Sequence, residues 1–216
     1  MPNWIATTLR IKGEAAALEA VKKFVQNDGS AFDFNKIIPM PETFKKYDTT
    51  NHPNGERLEL GEHVGYEKDS PIVTSELIEE YKAATRQQAA LYGAVGWYDW
   101  RRKNWGTKWN ANDIALAAST DGEELVYTFD TAWSFAQPVV KALSEIFPEV
   151  VIEFVYADED AGYNTGRGVV RRGLFTEFVM PDGGSDEAMQ LYFETHPGSE
   201  DEYVRDENGN WKYYEE

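Results

Sequence analysis

The order of the apolar periodicities along the first 156 residues constrains the fold more than any other feature. Apolar and polar side chains alternate over Ile5–Ile11, which predicts a half-buried strand that Gly13 ends. A helical stripe of apolar side chains follows within Glu14–Asn27. The chain is therefore expected to begin with a strand and an amphipathic helix.

A hairpin, a second helix and a last strand complete the pattern. Ile114–Ser119 and Glu124–Asp130 flank an Asp-Gly pair, which supplies the positive φ angles of a tight turn. Gln137–Phe147 carries a helical stripe, and Val150–Tyr156 has the pattern of a strand. This order is typical of the split βαβ, or ferredoxin-like, arrangement. We predict an α+β fold in which Ile5–Ile11 is a central strand and both helices pack on one face of the sheet.

Two regions lie outside this pattern. Between about residues 42 and 110, a polar stretch, a helix at Pro71–Tyr92 and a Trp-rich segment predict a helical insertion. Near the C-terminus, Val169–Met180 reads as one long strand or a hairpin arm, and Ser185–His196 as a short helix before a hairpin at Asn208-Gly209. The predicted domains are a ferredoxin-like domain at 1-157 and a small acidic C-terminal α+β subdomain at 158-216.

The charge limits the partners. The chain of 216 residues has a net charge of -17, and eleven acids between Pro181 and Glu216 face only Arg205 and Lys212. Such a surface repels nucleic-acid backbones and membranes and attracts basic partners. A DNA-mimicking inhibitor would have a surface of this kind, and so would a protein with an ordinary solvated acidic face. A hydrophobic content of 42% supports a packed core, and no stretch approaches the ~20 apolar residues of a membrane span. We expect a cytoplasmic protein that binds neither membranes nor long nucleic acid.

A Trp-rich basic segment is the candidate binding site. Four of the seven tryptophans lie between Trp97 and Trp109, and the local charge of residues 97–112 is +3 because four basic side chains oppose Asp99 alone. An aromatic, basic island suits a planar or anionic partner. The alternative is a Trp-rich loop packed over a small core, with the Arg stems stacked on indole faces. The candidate site residues are Trp97, Tyr98, Trp100, Arg101, Arg102, Asn104, Trp105, Lys108, Trp109 and Trp133.

The small and polar residues of this segment predict how it is held. Gly106 allows a close backbone approach, and the side chains of Asn104, Thr107 and Lys108 provide hydrogen-bond donors. This combination is suited to a fixed hydrogen-bond network or to the binding of an anion. We expect the four tryptophans of the segment to pack mostly against the sheet edge and the preceding helix. Trp133 should close one side, with Arg101 and Lys108 at the rim of a shallow pocket.

The usual catalytic constellations are missing from the sequence. The absence of cysteine excludes disulfides, thiolate metal sites and a cysteine nucleophile. His52, His63 and His196 lack the spacing of metal ligands, and the chain has no Gly-x-Ser-x-Gly elbow. The glycine-rich loop at 162–168 lacks the Gly-Lys-Ser/Thr ending of a phosphate-binding loop. We therefore predict a protein that is not an enzyme and uses neither a cofactor nor a metal.

Five ordered motifs within residues 1–156 resemble the Api-ninety-two-like family of phage and plasmid proteins. The chain departs from the family pattern at Ile5, where cysteine is expected, and at Phe135-Ala136, where prolines are usual. The resemblance implies a ferredoxin-like domain of unknown function and provides no catalytic residues. The motifs are Met1-Pro2-Asn3-Trp4, Ile38-Pro39-Met40-Pro41, Trp97-Tyr98-Asp99-Trp100, Asn104-Trp105-Gly106-Thr107-Lys108-Trp109 and Phe129-Asp130-Thr131-Ala132-Trp133-Ser134.

Two functional hypotheses follow. The resemblance and the acidic charge favour an accessory protein of a phage or mobile element that binds and interferes with a host macromolecule in the bacterial cytoplasm, with a defence component as one candidate. If it mimics DNA, the acidic residues from Asp182 to Glu216 would form its working face. The alternative is nucleotide or RNA binding, in which the tryptophans stack on bases and the basic side chains hold phosphate. A small nucleotide fits this alternative better than long nucleic acid, and a ferredoxin-like RNA nuclease is the weakest option.

Overall fold

The chain forms two compact units in a computed structural model that describes residues 2–47, 58–64, 71–118 and 122–214. One unit consists of Met1–Ile38 and Trp105–Glu216, and the other is Pro39–Asn104. The elements in chain order are β1 (Trp4–Lys12), α1 (Ala15–Val25), α2 (Phe34–Ile37), α3 (Thr43–Lys46), α4 (Ser75–Tyr92), α5 (Trp97–Asn104), β2 (Asn112–Ala118), β3 (Glu124–Ala132), α6 (Gln137–Ile146), β4 (Val151–Asp158), β5 (Gly166–Arg171), β6 (Leu174–Val179), α7 (Asp186–Thr195), a 3-10 turn (Ser199–Glu202), β7 (Tyr203–Arg205) and β8 (Trp211–Tyr213).

A six-stranded antiparallel sheet organises the larger unit. Its strand order is β2-β3-β1-β4-β5-β6, so β1 lies between β3 and β4. Leu9 is opposite Tyr127 on one side and Phe154 on the other. The first four strands of this order and the two intervening helices form the ferredoxin-like arrangement, which confirms the predicted fold class and the central position of Ile5–Ile11. The turn residues 119–121 of the predicted hairpin lie outside the described part of the chain.

The helices cover both faces of this sheet. Phe24 of α1 contacts Phe147, directly after α6, with ring centroids 5.4 Å apart, which places both helices on one face as predicted. α7 packs on β4 with further contacts to β1 and β5, and its Glu194 lines a small cavity with Thr8 and Val155. Because alternate residues of a strand face opposite ways, Thr8 points away from the buried Leu9. α7 therefore covers the second face.

The region after residue 157 continues the sheet. β5 pairs with β4, and β5 and β6 form a hairpin, so the stretch predicted as one strand or a hairpin arm is a hairpin. Arg172 and Gly173 have φ of 52° and 74°, the left-handed pair that a two-residue turn requires. Phe193 of α7 packs edge-on against Trp211 of β8, which holds the small β7–β8 hairpin. The predicted C-terminal subdomain thus shares its sheet with the ferredoxin-like strands.

The unit Pro39–Asn104 is helical and corresponds to most of the predicted insertion. Its long helix begins at Ser75, after the Thr74 hydroxyl that accepts a hydrogen bond from the Leu77 amide, rather than at Pro71. The helix ends at Gly93, whose φ is 62°. One buried cluster in this unit contains Leu58, Val73 and Tyr81. Among the described residues of the whole chain, no helix has the length and apolar character that would let it cross a membrane.

Candidate functional site

The boundary between the compact units divides the Trp-rich segment between Asn104 and Trp105. The first part is the helix α5, and the second belongs to the ferredoxin-like unit. Arg101 and Lys108, which were expected at the rim of one pocket, therefore belong to different units. The segment is also not one continuous loop, as the packing interpretation (a Trp-rich loop packed over a small core) assumed. The candidate residues fall into two groups, which are Trp97, Tyr98, Trp100, Arg101, Arg102 and Asn104 on α5, and Trp105, Lys108, Trp109 and Trp133 in the larger unit.

On α5, cations lie over aromatic rings one helical turn apart. The Arg101 guanidinium is 4.9 Å from the centroid of Trp97, and the Arg102 guanidinium is 5.5 Å from that of Tyr98. This i, i+4 spacing brings side chains together on one helix face. Trp100 is buried, and its backbone carbonyl accepts a hydrogen bond from the side-chain Nδ2 of Asn104 at 2.8 Å. The Arg side chains thus stack on aromatic faces, as the packing interpretation predicts.

Trp105 is a core residue of the ferredoxin-like unit. Its side chain is completely buried, and Nε1 donates to the Ile38 carbonyl oxygen at 2.9 Å. Its ring packs edge-on against Phe34, with centroids 5.7 Å apart. Every polar and apolar part of this side chain is therefore engaged within the fold, and Trp105 cannot stack on a ligand without unpacking.

A hydrogen-bond network joins the segment to the corner after β3. The Thr107 hydroxyl donates to the Ala132 carbonyl at 2.8 Å in the interior, and the Ser134 hydroxyl donates to the Gly106 carbonyl. Gly106 has a φ of 80°, and a Cβ there would lie 2.8 Å from Cδ of Pro138. The fixed network expected from Gly106 and Thr107 is present, and it requires glycine at 106.

Asn110 anchors the end of the segment to the first turn of α2. Its Nδ2 donates to the Asp33 carboxylate at 2.7 Å, and its Oδ1 accepts from the Phe34 amide at 2.8 Å. Burial raises the pKa of Asp33, but hydrogen bonds from Asn110, Asn35 and Asn27 outweigh burial, so the pKa lies below its usual 3.8. Asp33 also caps α2 by accepting from the Asn35 amide. A buried carboxylate therefore fixes where the segment ends.

Lys108 is half-buried, and two indole rings lie close to its ammonium. Lys108 Nζ lies 4.4 Å from the ring centroid of Trp109 and 4.9 Å from that of Trp133, within the range of cation–π attraction. Trp4 extends the surface, because its ring centroid is 5.6 Å from that of Trp109. We call Trp4, Lys108, Trp109 and Trp133 the indole–lysine patch. Trp4 is missing from the predicted site residues, although its register opposite Ala132 places it beside Trp133.

Trp133 has an unusual backbone for such a large residue. Its φ is 67°, in the left-handed region, and 43% of its surface is exposed. Its amide donates to the Asn3 carbonyl at 2.9 Å, and its carbonyl accepts from Nδ2 of Asn164 at 3.4 Å. Asn164 in turn donates to the Asp158 carboxylate at 3.1 Å. Strained backbone conformations cluster at functional sites, and Trp133 combines such a conformation with a large, partly exposed apolar ring.

The indole–lysine patch combines a cation with aromatic surfaces, which is suited to binding a partner. Lys108 forms no ion pair with any residue in the described part of the chain, so no carboxylate there neutralises its charge, and its ammonium lies over two π faces. Across the described ranges, no group of three His, Asp or Glu side chains could hold a metal ion. His52 lies outside those ranges, and His196 is stacked on Tyr192 with ring centroids 4.3 Å apart. The arrangement offers one cation and three aromatic surfaces.

Comparison with known proteins supports the fold, and one family model matches part of the chain. Residues 104–198 match the family described as the ferredoxin-like domain in Api92-like protein. A crystal structure of a protein api92 from Yersinia pseudotuberculosis is similar to this chain with a TM-score of 0.50 at 10% sequence identity. The similarity covers 86% of this chain and 100% of that chain, and at this identity it shows the fold alone. No curated protein matches the chain.

The matched range differs from the range of the motif resemblance. The motifs were found within residues 1–156, whereas the family match begins at Asn104 and continues through β5, β6 and α7 to residue 198. The match therefore includes Lys108, Trp109 and Trp133 of the patch and the C-terminal strands that extend the sheet. The family resemblance is supported by this match, which covers a little under half of the chain.

Proposed function

We propose that this protein is a non-catalytic binding protein that contacts a protein of a bacterial host through the indole–lysine patch. The observation that carries the proposal is Trp133, which is 43% exposed on a left-handed backbone beside the Lys108 ammonium. Tryptophan is enriched among the residues that dominate binding energy at protein interfaces. Tryptophan has only two χ angles, so its large ring provides contact area at a low cost in conformational entropy.

The motif resemblance supplies the biological context of this proposal. Members of the family are similar to accessory genes of phages and mobile elements, so the proposed role is interference with a host macromolecule, with a defence component as one candidate. The net charge of -17 supports a basic partner, since an acidic surface attracts such proteins over long range. The acidic residues of the C-terminal region are then the steering surface, and the patch is the contact.

A capture experiment tests the proposal. The parent protein, Trp133→Ala and the control Tyr213→Ala are immobilised at equal amounts, and the host proteins captured from bacterial lysate are quantified by mass spectrometry. Tyr213 is a suitable control because it is 57% exposed on β8 and lies outside the patch. We expect at least one host protein to be enriched by the parent and by Tyr213→Ala, above a charge-matched unrelated protein, and to be lost with Trp133→Ala. Equal capture of host proteins by the parent and by both variants would contradict the proposal.

Nucleotide binding is the second candidate, and Lys108 favours it specifically. A cation between the partly exposed rings of Trp109 and Trp133 could accompany a stacked base. Trp100 and Trp105 are buried and do not offer stacking surfaces. Quenching of tryptophan fluorescence by mono-, di- and cyclic nucleotides, measured at low and moderate salt, separates the candidates. Absence of quenching by all of them would eliminate the nucleotide candidate.

A further inference from the structure

We infer that the indole–lysine patch receives a carboxylate of a short peptide segment of the partner, bound at Lys108 Nζ between Trp109 and Trp133. This inference rests on the proposed function and adds the chemistry of the segment that is recognised. The carboxylate belongs to a Glu or Asp side chain that is followed or preceded by an apolar residue. The apolar neighbours of that carboxylate pack on the indole faces.

No acidic side chain in the described part of the chain forms an ion pair with Lys108. The chain has 38 acidic residues, and cations such as Arg10, Lys12 and Arg205 form ion pairs within the described part of it. Lys108 instead stays on two aromatic faces, where its three N–H donors have no carboxylate among the described residues. A cation–π contact orients an ammonium but does not use its hydrogen-bonding capacity. An incoming carboxylate would supply those acceptors.

The number of donors in the patch distinguishes a carboxylate ligand from a phosphate ligand. A phosphate group binds best to several donors in a fixed fork or to a nest of backbone amides, as guanidinium groups and glycine-rich loops provide. The patch offers a single ammonium, and the chain around it has a net charge of -17, which repels a dianion more than a single negative charge. The patch therefore favours one carboxylate on an otherwise neutral or basic partner.

The aromatic rings of the patch offer a surface on which apolar groups can pack. The rings of Trp4 and Trp109 are tilted by 40° to each other, and the Trp133 ring centroid is 4.9 Å from the Lys108 ammonium. Side chains with an apolar stem and a charged end fit such a surface, because the stem packs on the rings while the charge reaches the cation. A segment with an apolar residue next to Glu satisfies both requirements.

Titration with two peptides tests the inference on the full chain. The probes are acetyl-Leu-Glu-Phe-amide and its neutral counterpart acetyl-Leu-Gln-Phe-amide, with AMP and inorganic phosphate as the other anions. Binding is followed through the indole Nε1–H signals of Trp109 and Trp133 in nitrogen-15 NMR spectra. Lys108→Met keeps the side-chain stem without the charge, and Lys212→Met on β8 is the matched control.

We expect the Glu peptide to bind the parent and Lys212→Met at least about threefold more tightly than the Gln peptide at low salt, the size of an exposed charge pair. In Lys108→Met the two peptides should bind equally. Equal affinities in the parent, no shift of either indole, or tighter binding of AMP or phosphate than of the Glu peptide would each overturn the inference. If host-protein capture still depends on Trp133 in that event, the proposed function survives. If capture is indifferent to Trp133→Ala, the proposed function fails by itself.

Discussion

At the scale of single residues, the tryptophans divide into buried and exposed groups that composition does not distinguish. Trp100 and Trp105 are in the interior, whereas Trp133 exposes 43% of its surface next to Lys108. The clustering of the tryptophans did not predict this division, because an indole is equally suited to a core and to an interface. The decisive features are tertiary, namely the carbonyl of Ile38 that receives the Trp105 N–H and the left-handed backbone of Trp133.

Replacement of Trp105 tests the structural half of this division. Trp105→Ala should lower the free energy of unfolding by about 3–5 kcal/mol, because it removes a fully buried ring and leaves the Ile38 carbonyl without its donor. Lys108→Ala should change the free energy by less than about 1 kcal/mol, the value of an exposed cation–π contact. Urea unfolding at pH 7 measures both. A Trp105→Ala protein as stable as the parent would mean that the segment is a recognition surface and not part of the core.

Gly106 allows a second test, in which strain and steric overlap are separated. Gly198 has a φ of 90° with open space around a built Cβ, so Gly198→Ala should cost only the left-handed strain of about 1–2 kcal/mol. Gly106→Ala has similar strain and also places Cβ 2.8 Å from Pro138 Cδ, so it should cost about 1–3 kcal/mol more. Thermal and urea unfolding of the two variants should show this difference. Equal costs would indicate that the corner after β3 yields easily.

At the scale of elements, Asp33 connects the start of α2 to the end of the Trp-rich segment. Its lowered pKa means that the ionised form is favoured in the folded state, so its stabilising contribution is present above the ordinary pKa of 3.8 and is lost as the pH falls through the folded value. Asp33→Asn should destabilise the protein at pH 7 by about 1–3 kcal/mol. That difference should shrink below about pH 4. Urea unfolding between pH 7 and pH 3 measures it, and a difference that is independent of pH would refute the assignment.

Asp130 on β3 should show the opposite sign. Burial raises its pKa, and the neighbouring Asp113 raises it further, while His196 opposes the shift and Glu159 adds to it. A raised pKa means that this carboxyl favours folding below its unfolded pKa and loses that contribution as the pH rises through the folded value. Asp130→Asn should therefore be more stable than the parent at pH 7 and equal to it near pH 3. Lower stability of the variant at pH 7 would show that the carboxylate has a favourable partner.

The elements themselves were largely predictable because their periodicities are local. β1, α1, α6 and α7 begin and end within a few residues of the predicted bounds, and Ser185 caps α7 by accepting from the Ala188 amide as expected. The helix α5 was not predicted, because Trp97–Asn104 lacks an apolar stripe and is held by cation–π contacts and by its packing. The stacking of Arg side chains on aromatic faces was predicted, but it does not by itself distinguish a helix from a loop.

At the scale of the whole molecule, the ferredoxin-like strand order was predictable, and the attachment of β5 and β6 was not. The alternation of strands and helices restricts the first four strands to few arrangements, and β1 lies in the centre as expected. Whether a later hairpin adds to an edge or forms its own layer depends on pairing between distant residues. Here Val170 is opposite Ile152, and Gly168, where a Cβ would lie 2.8 Å from the Phe154 ring, allows the close approach of the strands.

The division into two compact units leads to a last prediction, that Pro39–Asn104 can be removed without loss of the ferredoxin-like fold. The chain leaves the larger unit at Ile38 and returns at Trp105, and the 2.9 Å hydrogen bond between these residues shows that the cut ends lie close together. A short Gly-Ser linker should therefore join them at little entropic cost. Because the patch belongs entirely to this unit, we expect a cooperative urea transition and the same peptide shifts at Trp133. A broad transition, with dispersed indole signals lost, would show that the larger unit depends on the insertion for its stability.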